Sequence, residues 1–192
     1  PSLLMASVHA FLRSHSQSCS TIREILTRTN RFVAQEVEEG RFITLLFVQL
    51  DPQSRRFTYV SAGHPDGYVL SSSGEIKVRL VHSSPALGVL PEAEFPESNM
   101  IALEPGDMLI MLTDGILEAV SPAGEYFGSE RVLEVVRACR HQTSHEIIEG
   151  LYRAVLDFSQ EETPRDDITA IVIKVQPEQC TGPSRECASD SS

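Results

Sequence analysis

Several things are missing from this chain. No stripe of Lys and Arg runs through its 192 residues, and 27 acidic residues against 16 basic ones leave a net charge of −11. Such a surface argues against a general nucleic-acid binder, which needs clustered cations to meet phosphates. No apolar run is long enough to span a bilayer, so no membrane insertion is expected. The N-terminus has no basic segment leading into a long apolar core, so no secretory signal is read there. The four cysteines, Cys19, Cys139, Cys180 and Cys187, show no CxxC spacing. They are expected to be reduced thiols of a cytoplasmic protein, not a disulfide framework. None of them opens a CxxxxxR phosphate loop, no GxxxxGK loop is present, and there are no internal repeats.

What is present is of ordinary globular composition, with 41% hydrophobic and 22% charged residues. The length suits one domain. Apolar spacing predicts a helix over 3–12, a serine-rich break over 14–20 and a second helix over 21–37. Ser20 or Thr21 with Glu24 would cap the second helix, and Gly40 would end it. The character then turns to strands, expected over 42–50, 56–61, 68–71, 76–81 and 108–112. A turn at Asp51-Pro52-Gln53-Ser54 makes the first two a hairpin, and 82–100 is a long Pro- and Ser-rich connection. Helices follow over 129–139 and 144–158, the second starting at Ser144. Pro164 closes that helical region. The last strand, 168–175, is apolar throughout and is expected at the centre of a sheet. Residues 176–192 are polar and are expected to be a disordered tail. Hairpin-linked strands between helix pairs make the fold class α+β.

Two acidic clusters stand out. Thr113-Asp114-Gly115 ends one apolar run, and Asp166-Asp167 begins another. If the two strands pair antiparallel, the end of one lies beside the start of the other, ~5 Å away. Carboxylates converging there would suit a hard divalent cation. Each cluster also has a plainer explanation. Asp-Gly is a common turn, the glycine supplying positive φ, and Asp166-Asp167 could be a solvated acidic edge. Ser61-Ala62-Gly63-His64-Pro65 is a tight loop, in which His64 is either an ordinary turn residue or a group close to a phosphate. Ser83-Ser84-Pro85-Ala86-Leu87-Gly88 is given a structural role.

Seven stretches carry a resemblance: PSLLMAS (1–7), FITLLFVQLD (42–51), FTYVSAGHP (57–65), PALGVL (85–90), LEPGDMLIMLTDGILEA (103–119), FGSERV (127–132) and PRDDITAIVIKV (164–175). In this order and spacing they resemble the PPM-type (PP2C-like) protein serine/threonine phosphatases, in the bacterial SpoIIE/RsbU branch. The resemblance covers 1–175, which it makes one phosphatase-type domain. It implies an α-β-β-α sandwich of two antiparallel sheets flanked by helix pairs. It also implies a centre of two Mn²⁺ or Mg²⁺ ions, held in part by Asp114 and Asp166. Asp167 falls where the family often has Asn and is expected beside the ligands, with Gly115 in the same turn. His64 would be close to the substrate.

The family's GGDxxD-like and D-x-S/G-G-H-G segments precede the stretch that begins here at Pro1. The expectation is therefore a truncated domain, without its N-terminal strands and with about half of its ligands, inactive alone. The implied reaction is metal-assisted hydrolysis of phosphoserine or phosphothreonine on a partner. For this branch that partner is an anti-anti-sigma (STAS-type) protein. An upstream sensor or receiver domain would act through the helices of 3–39. Two rivals remain open: a non-catalytic pseudophosphatase serving as an interaction module, and a generic α+β metal-binding module.

Overall fold

Thr21 starts the second helix with its own side chain. Its Oγ1 accepts the Glu24 amide at 3.3 Å, which satisfies one of the free N–H groups of a helix start. In a computed structural model, which describes residues 2–17, 21–37 and 41–176, this helix is α2, Ile22–Glu36. Ser20 and Gly40, the alternative cap and the expected stop, lie outside the described residues. So does the tail beyond Gln176. The helix before it, α1, runs Ser2–Ser16, past the break expected from Ser14. Its last carbonyls are met by side chains: His15 Nδ1 bonds Phe11 O at 3.0 Å, and Ser16 Oγ donates to Arg13 O at 2.9 Å.

The strands form two sheets. β1 (Leu45–Asp51) and β2 (Arg56–Ala62) make the expected hairpin. Asp51 closes its turn by accepting the Gln53 amide and the Ser54 hydroxyl. After β3 (Gly67–Leu70) and β4 (Ile76–Leu80) comes a two-residue strand that the sequence pattern did not predict, β5 (Ile101–Ala102), on the far side of β2. Two residues are too few to leave an alternation. β6 (Met108–Leu112) pairs with β3 on one side and with β7 (Ala170–Lys174) on the other. The orders are β1-β2-β5 and β4-β3-β6-β7.

Three apolar layers hold the sandwich. Val8, Ile22, Leu26 and Val33 pack on Val60, Ala62 and Leu87 of the first sheet side. Phe57, Tyr59, Val69 and Leu109 fill the space between the sheets. Leu70, Met108 and Ile110 pack on α4 (Gly128–Ala138) and α5 (Ser144–Ser159) through Val136, Ile147 and Leu151. The helix-sheet-sheet-helix architecture is thus the one expected. β6 reads as an unbroken apolar run because both of its faces are covered.

Three local expectations are corrected. The cap of α5 is Thr143, not Ser144: Thr143 and Glu146 form a reciprocal capping box. The helix stops at Ser159, one residue past the expected 158, and what ends it is Gln160 in the left-handed region at φ 56°, not Pro164. And β7 is an edge strand of its sheet among the described residues, not a central one. Val172 packs toward α5 and Ile173 toward the other sheet, while Ile171 stays 48% exposed. The apolar run records two covered faces; side chains carry no information on whether the backbone edge is paired.

The 82–100 connection is irregular but fastened. Buried Asn30 of α2 donates to Leu90 O and Pro91 O at 2.8 and 3.1 Å and accepts the Gly88 amide at 2.9 Å. Leu87 bridges to Ile43, and Ser84 to Ala62. Among the described residues, no helix is long and apolar enough to cross a membrane. Cys139 is a free thiol; the other three cysteines lie outside the described residues.

One buried ion pair anchors the turn into β6. Asp107, whose side chain is 2% exposed, accepts Lys77 Nζ at 2.7 Å and the Glu104 amide at 2.9 Å. Asp107 first, then Glu104, raise the Lys77 pKa. That contribution is complete below the ordinary lysine pKa and is lost only as pH rises through the raised one, so it persists across neutral pH. Lys77→Met leaves a buried carboxylate without its cation. The expected loss, measured by urea unfolding at pH 7, is about 2–3 kcal/mol, at or below the low end for buried pairs because Lys77 is partly wet. Glu104→Gln, at an exposed partner, should leave the unfolding midpoint nearly unchanged.

Candidate metal centre

The antiparallel register of β6 and β7 sets Leu112 opposite Ala170. The chain therefore leaves β6 where it enters β7. The contact continues beyond the ladder: the Thr113 amide donates to Thr169 O at 3.0 Å, and the Thr169 amide donates to Thr113 Oγ1 at 3.0 Å. Asp114 and Asp166-Asp167 lie just past this clasp. In the sequence Thr113 stood out only as part of the Thr113-Asp114-Gly115 cluster, with no role of its own, and Thr169 not at all, although a hydroxyl at a strand end beside Asp114 was a usable signal.

Gly115 joins the two acidic segments. A Cβ there would lie 2.4 Å from Asp167 O, 3.1 Å from Asp167 C and 3.7 Å from Asp166 C. This corrects the reason for the glycine. Gly115 is not in a positive-φ turn; it sits in α3 (Asp114–Leu117), a single helical turn. Close backbone approach, not backbone conformation, requires glycine here.

The two carboxylates are held alike. Asp114 Oδ1 accepts the next amide, Gly115 N, at 3.0 Å, and Asp166 Oδ1 accepts the next amide, Asp167 N, at 2.8 Å. Asp114, Asp166 and Asp167 are all exposed. Arg165, the cation next in sequence to Asp166, pairs with Glu161 instead. Each of the two aspartates thus keeps an oxygen that its following amide does not use.

His64 reaches the same end from the other sheet. Its Nδ1 lies 3.2 Å from Thr44 Oγ1. Burial lowers its pKa, opposed by the Leu112 main chain and the charge of Asp114, so the ring is neutral at pH 7. Thr44, His64, Leu112, Thr113 and Thr169 line one cleft of about 400 Å³ between the sheet edges, continued by apolar side chains such as Leu46 and Ile171. Nothing in the sequence marks Thr44, because its partner lies 20 residues away across the open end of the hairpin.

The donors suit a hard dication. Carboxylate oxygens select Mg²⁺ or Mn²⁺ over softer metals, and Mg²⁺ is often bound through only one or two carboxylates with water completing the shell. No group of three or more His, Cys, Asp or Glu fit to hold a metal occurs among the described residues. The pair therefore fits such an ion but supplies a minority of its ligands.

Comparison with known proteins follows the same lines. The family model described as stage II sporulation protein E (SpoIIE) matches residues 1–176. Protein IcfG of Synechocystis sp. is 34% identical over 146 residues, 76% of this chain and 23% of that protein. Phosphoserine phosphatase RsbU of Bacillus subtilis is 26% identical over 151 residues, 79% of this chain and 44% of that protein. The chain thus spans less than half the length of these curated relatives. Among solved structures, the SiaA-PP2C domain of Pseudomonas aeruginosa superposes with a TM-score of 0.77 at 21% identity, over 91% of this chain and 69% of that one. RsbX, solved in complex with magnesium, superposes with a TM-score of 0.62 at 18% identity, over 88% and 71%.

Proposed function

This chain belongs to the SpoIIE family of PP2C-like serine phosphatases, and from that membership we propose that it forms part of a metal-dependent protein serine/threonine phosphatase. The observation that carries the proposal is the convergence of Asp114 and Asp166 at Gly115, where the two backbones touch. In this reading Asp114 and Asp166 hold Mn²⁺ or Mg²⁺. Bound there, the metal supplies an acidified water and neutralises charge on a phosphoryl group. The chain's own residues place the two carboxylates. Thr113 and Thr169 lock β6 to β7, Gly115 admits the Asp167 carbonyl, and the Gly115 and Asp167 amides orient one oxygen of each aspartate. Asp167 supports the site through its backbone.

The substrate in this reading is phosphoserine or phosphothreonine on a STAS-type regulatory protein in the cytoplasm. RsbU, a relative named as a phosphoserine phosphatase, supports that class of substrate. A sensor or receiver domain in the same protein would control activity through α1 and α2. Because two carboxylates are few for a binuclear centre, this chain alone is proposed to be inactive.

That small ligand set also favours the second reading, a non-catalytic pseudophosphatase that binds a phosphorylated partner. One assay separates them. The whole protein and residues 1–192 are compared for Mn²⁺-dependent hydrolysis of p-nitrophenyl phosphate and of a phosphoserine protein. Turnover by the whole protein, absent from 1–192, is the expected result. No turnover by either, with binding of the phosphoprotein retained, would leave the pseudophosphatase standing.

A further inference from the structure

The loop that carries His64 is more heavily fastened than a surface turn requires. Ser61 O accepts the amides of Ser83 and Ser84 at 3.1 and 3.3 Å, and the Gly63 amide donates to Ser84 O at 3.0 Å. Gly63 has φ 62°, and a Cβ on it would lie 3.0 Å from both Cβ and N of Ala86. These contacts hold the backbone of the loop without any help from the imidazole. The apolar packing between the sheets is built by Phe57, Tyr59, Val69 and Leu109. Yet the ring is half-buried, bonded to Thr44, and lines one cleft with Leu112 and Thr113. A turn residue with no task beyond the turn would point to water.

Leu112 ends β6, and Thr113 alone separates it from Asp114. On its β7 side this junction is fixed by the Thr113–Thr169 clasp. On the side of the first sheet, His64 and Thr44, bonded to each other, line one cleft with Leu112 and Thr113. We propose that His64 is a positioning residue for the carboxylate site, tying the end of β6 that carries Asp114 to the first sheet through Thr44. The inference rests on the metal-centre reading above and deepens it. His64 acts through Asp114 and does not itself touch the phosphate. It sets how far apart the two sheets stand at the site, and so how Asp114 meets ligands outside the β6–β7 pair.

The test uses the whole protein and four variants: His64→Ala, His64→Gln, Thr44→Val and the double variant His64→Ala with Thr44→Val. Mn²⁺ affinity is measured by titration calorimetry in the absence of substrate. Turnover of p-nitrophenyl phosphate is then measured at saturating Mn²⁺. Supporting groups behind metal ligands typically cost 10–100-fold in affinity when removed. His64→Ala is expected to weaken Mn²⁺ binding by about 10-fold or more and to lower kcat, with KM unchanged. His64→Gln, which can keep a donor and an acceptor, should recover part of both. Thr44→Val should weaken Mn²⁺ binding in the same direction, and the double variant should be no worse than His64→Ala alone. Wild-type Mn²⁺ affinity in His64→Ala overturns the inference, as does a rise in KM with affinity intact, since that is the mark of a substrate contact. If the unmutated protein binds no Mn²⁺, the metal-centre reading itself falls and takes this one with it.

Discussion

Gly115→Ala in the whole protein should reduce metal-dependent turnover by about 100-fold or more, the scale expected when a reacting group is displaced by ~1 Å. Ordinary residue preferences predict the opposite sign for stability. Gly115 lies in a helical turn with an unremarkable φ, where alanine is favoured by up to ~1 kcal/mol. Sterics overrule this. The atom in the way, 2.4 Å from the new Cβ, is the Asp167 carbonyl oxygen, with its carbon at 3.1 Å. Neither is the end of a flexible side chain, so the methyl fits only if the 166–167 backbone moves off α3. That motion separates the two acidic segments that Gly115 now holds together. Gly124 is the control. It has φ +84° and nothing within 4 Å of its Cβ position, so Gly124→Ala should lower stability through backbone strain by about 1 kcal/mol and leave turnover within about twofold. Equal turnover in the two variants would refute the close-approach account of Gly115.

The contrast between these glycines shows what could be read from the sequence. Asp114-Gly115 was legible as a pair with a purpose, but the purpose was assigned to positive φ, a property of one residue. The real constraint is a contact with residues some fifty positions away, and no local pattern records it. The same division runs through the fold. The antiparallel pairing of β6 with β7 was posed as a condition, from their apolar runs and bracketing aspartates, and the structure meets it; the Asp51 turn followed from its residue types. The rank of β7 in its sheet did not, because Ile171, Val172 and Ile173 report covered faces and the edge belongs to the backbone. The Thr143-x-x-Glu146 capping box was present in the letters and was passed over for Ser144 beside it. The Thr44–His64 contact had no letter-level signal at all.

The adjacent pair at the mouth of β7 offers the sharpest separation of roles. Asp166→Asn is expected to lower Mn²⁺-dependent turnover by about 100-fold or more, since loss of several kcal/mol of charge stabilisation is a loss of two or more powers of ten. Asp167→Asn should change it by less than about 10-fold, the lower bound for a group that supports a site without ligating it. The residues are neighbours of equal charge and both are exposed, so general electrostatics predicts equal losses. Geometry predicts otherwise. Asp166 Oδ1 already accepts the Asp167 amide, and an asparagine carbonyl can accept it as well. Asp166→Asn therefore keeps the local backbone and removes only the anionic oxygen offered to a metal. Asp167 contributes its main chain, the carbonyl packed against Gly115 and the amide bonded to Asp166, and both survive the change to asparagine. Asp114 is held by the same next-amide bond, so Asp114→Asn should match Asp166→Asn. The two aspartates acting as one unit, the double variant should fall little below either single one, as groups that work together are not additive. Mn²⁺ titrations of the same variants provide the check: affinity lost in the 114 and 166 variants and retained at 167 assigns the ligands, whereas equal loss at 166 and 167 would return the pair to a shared acidic edge.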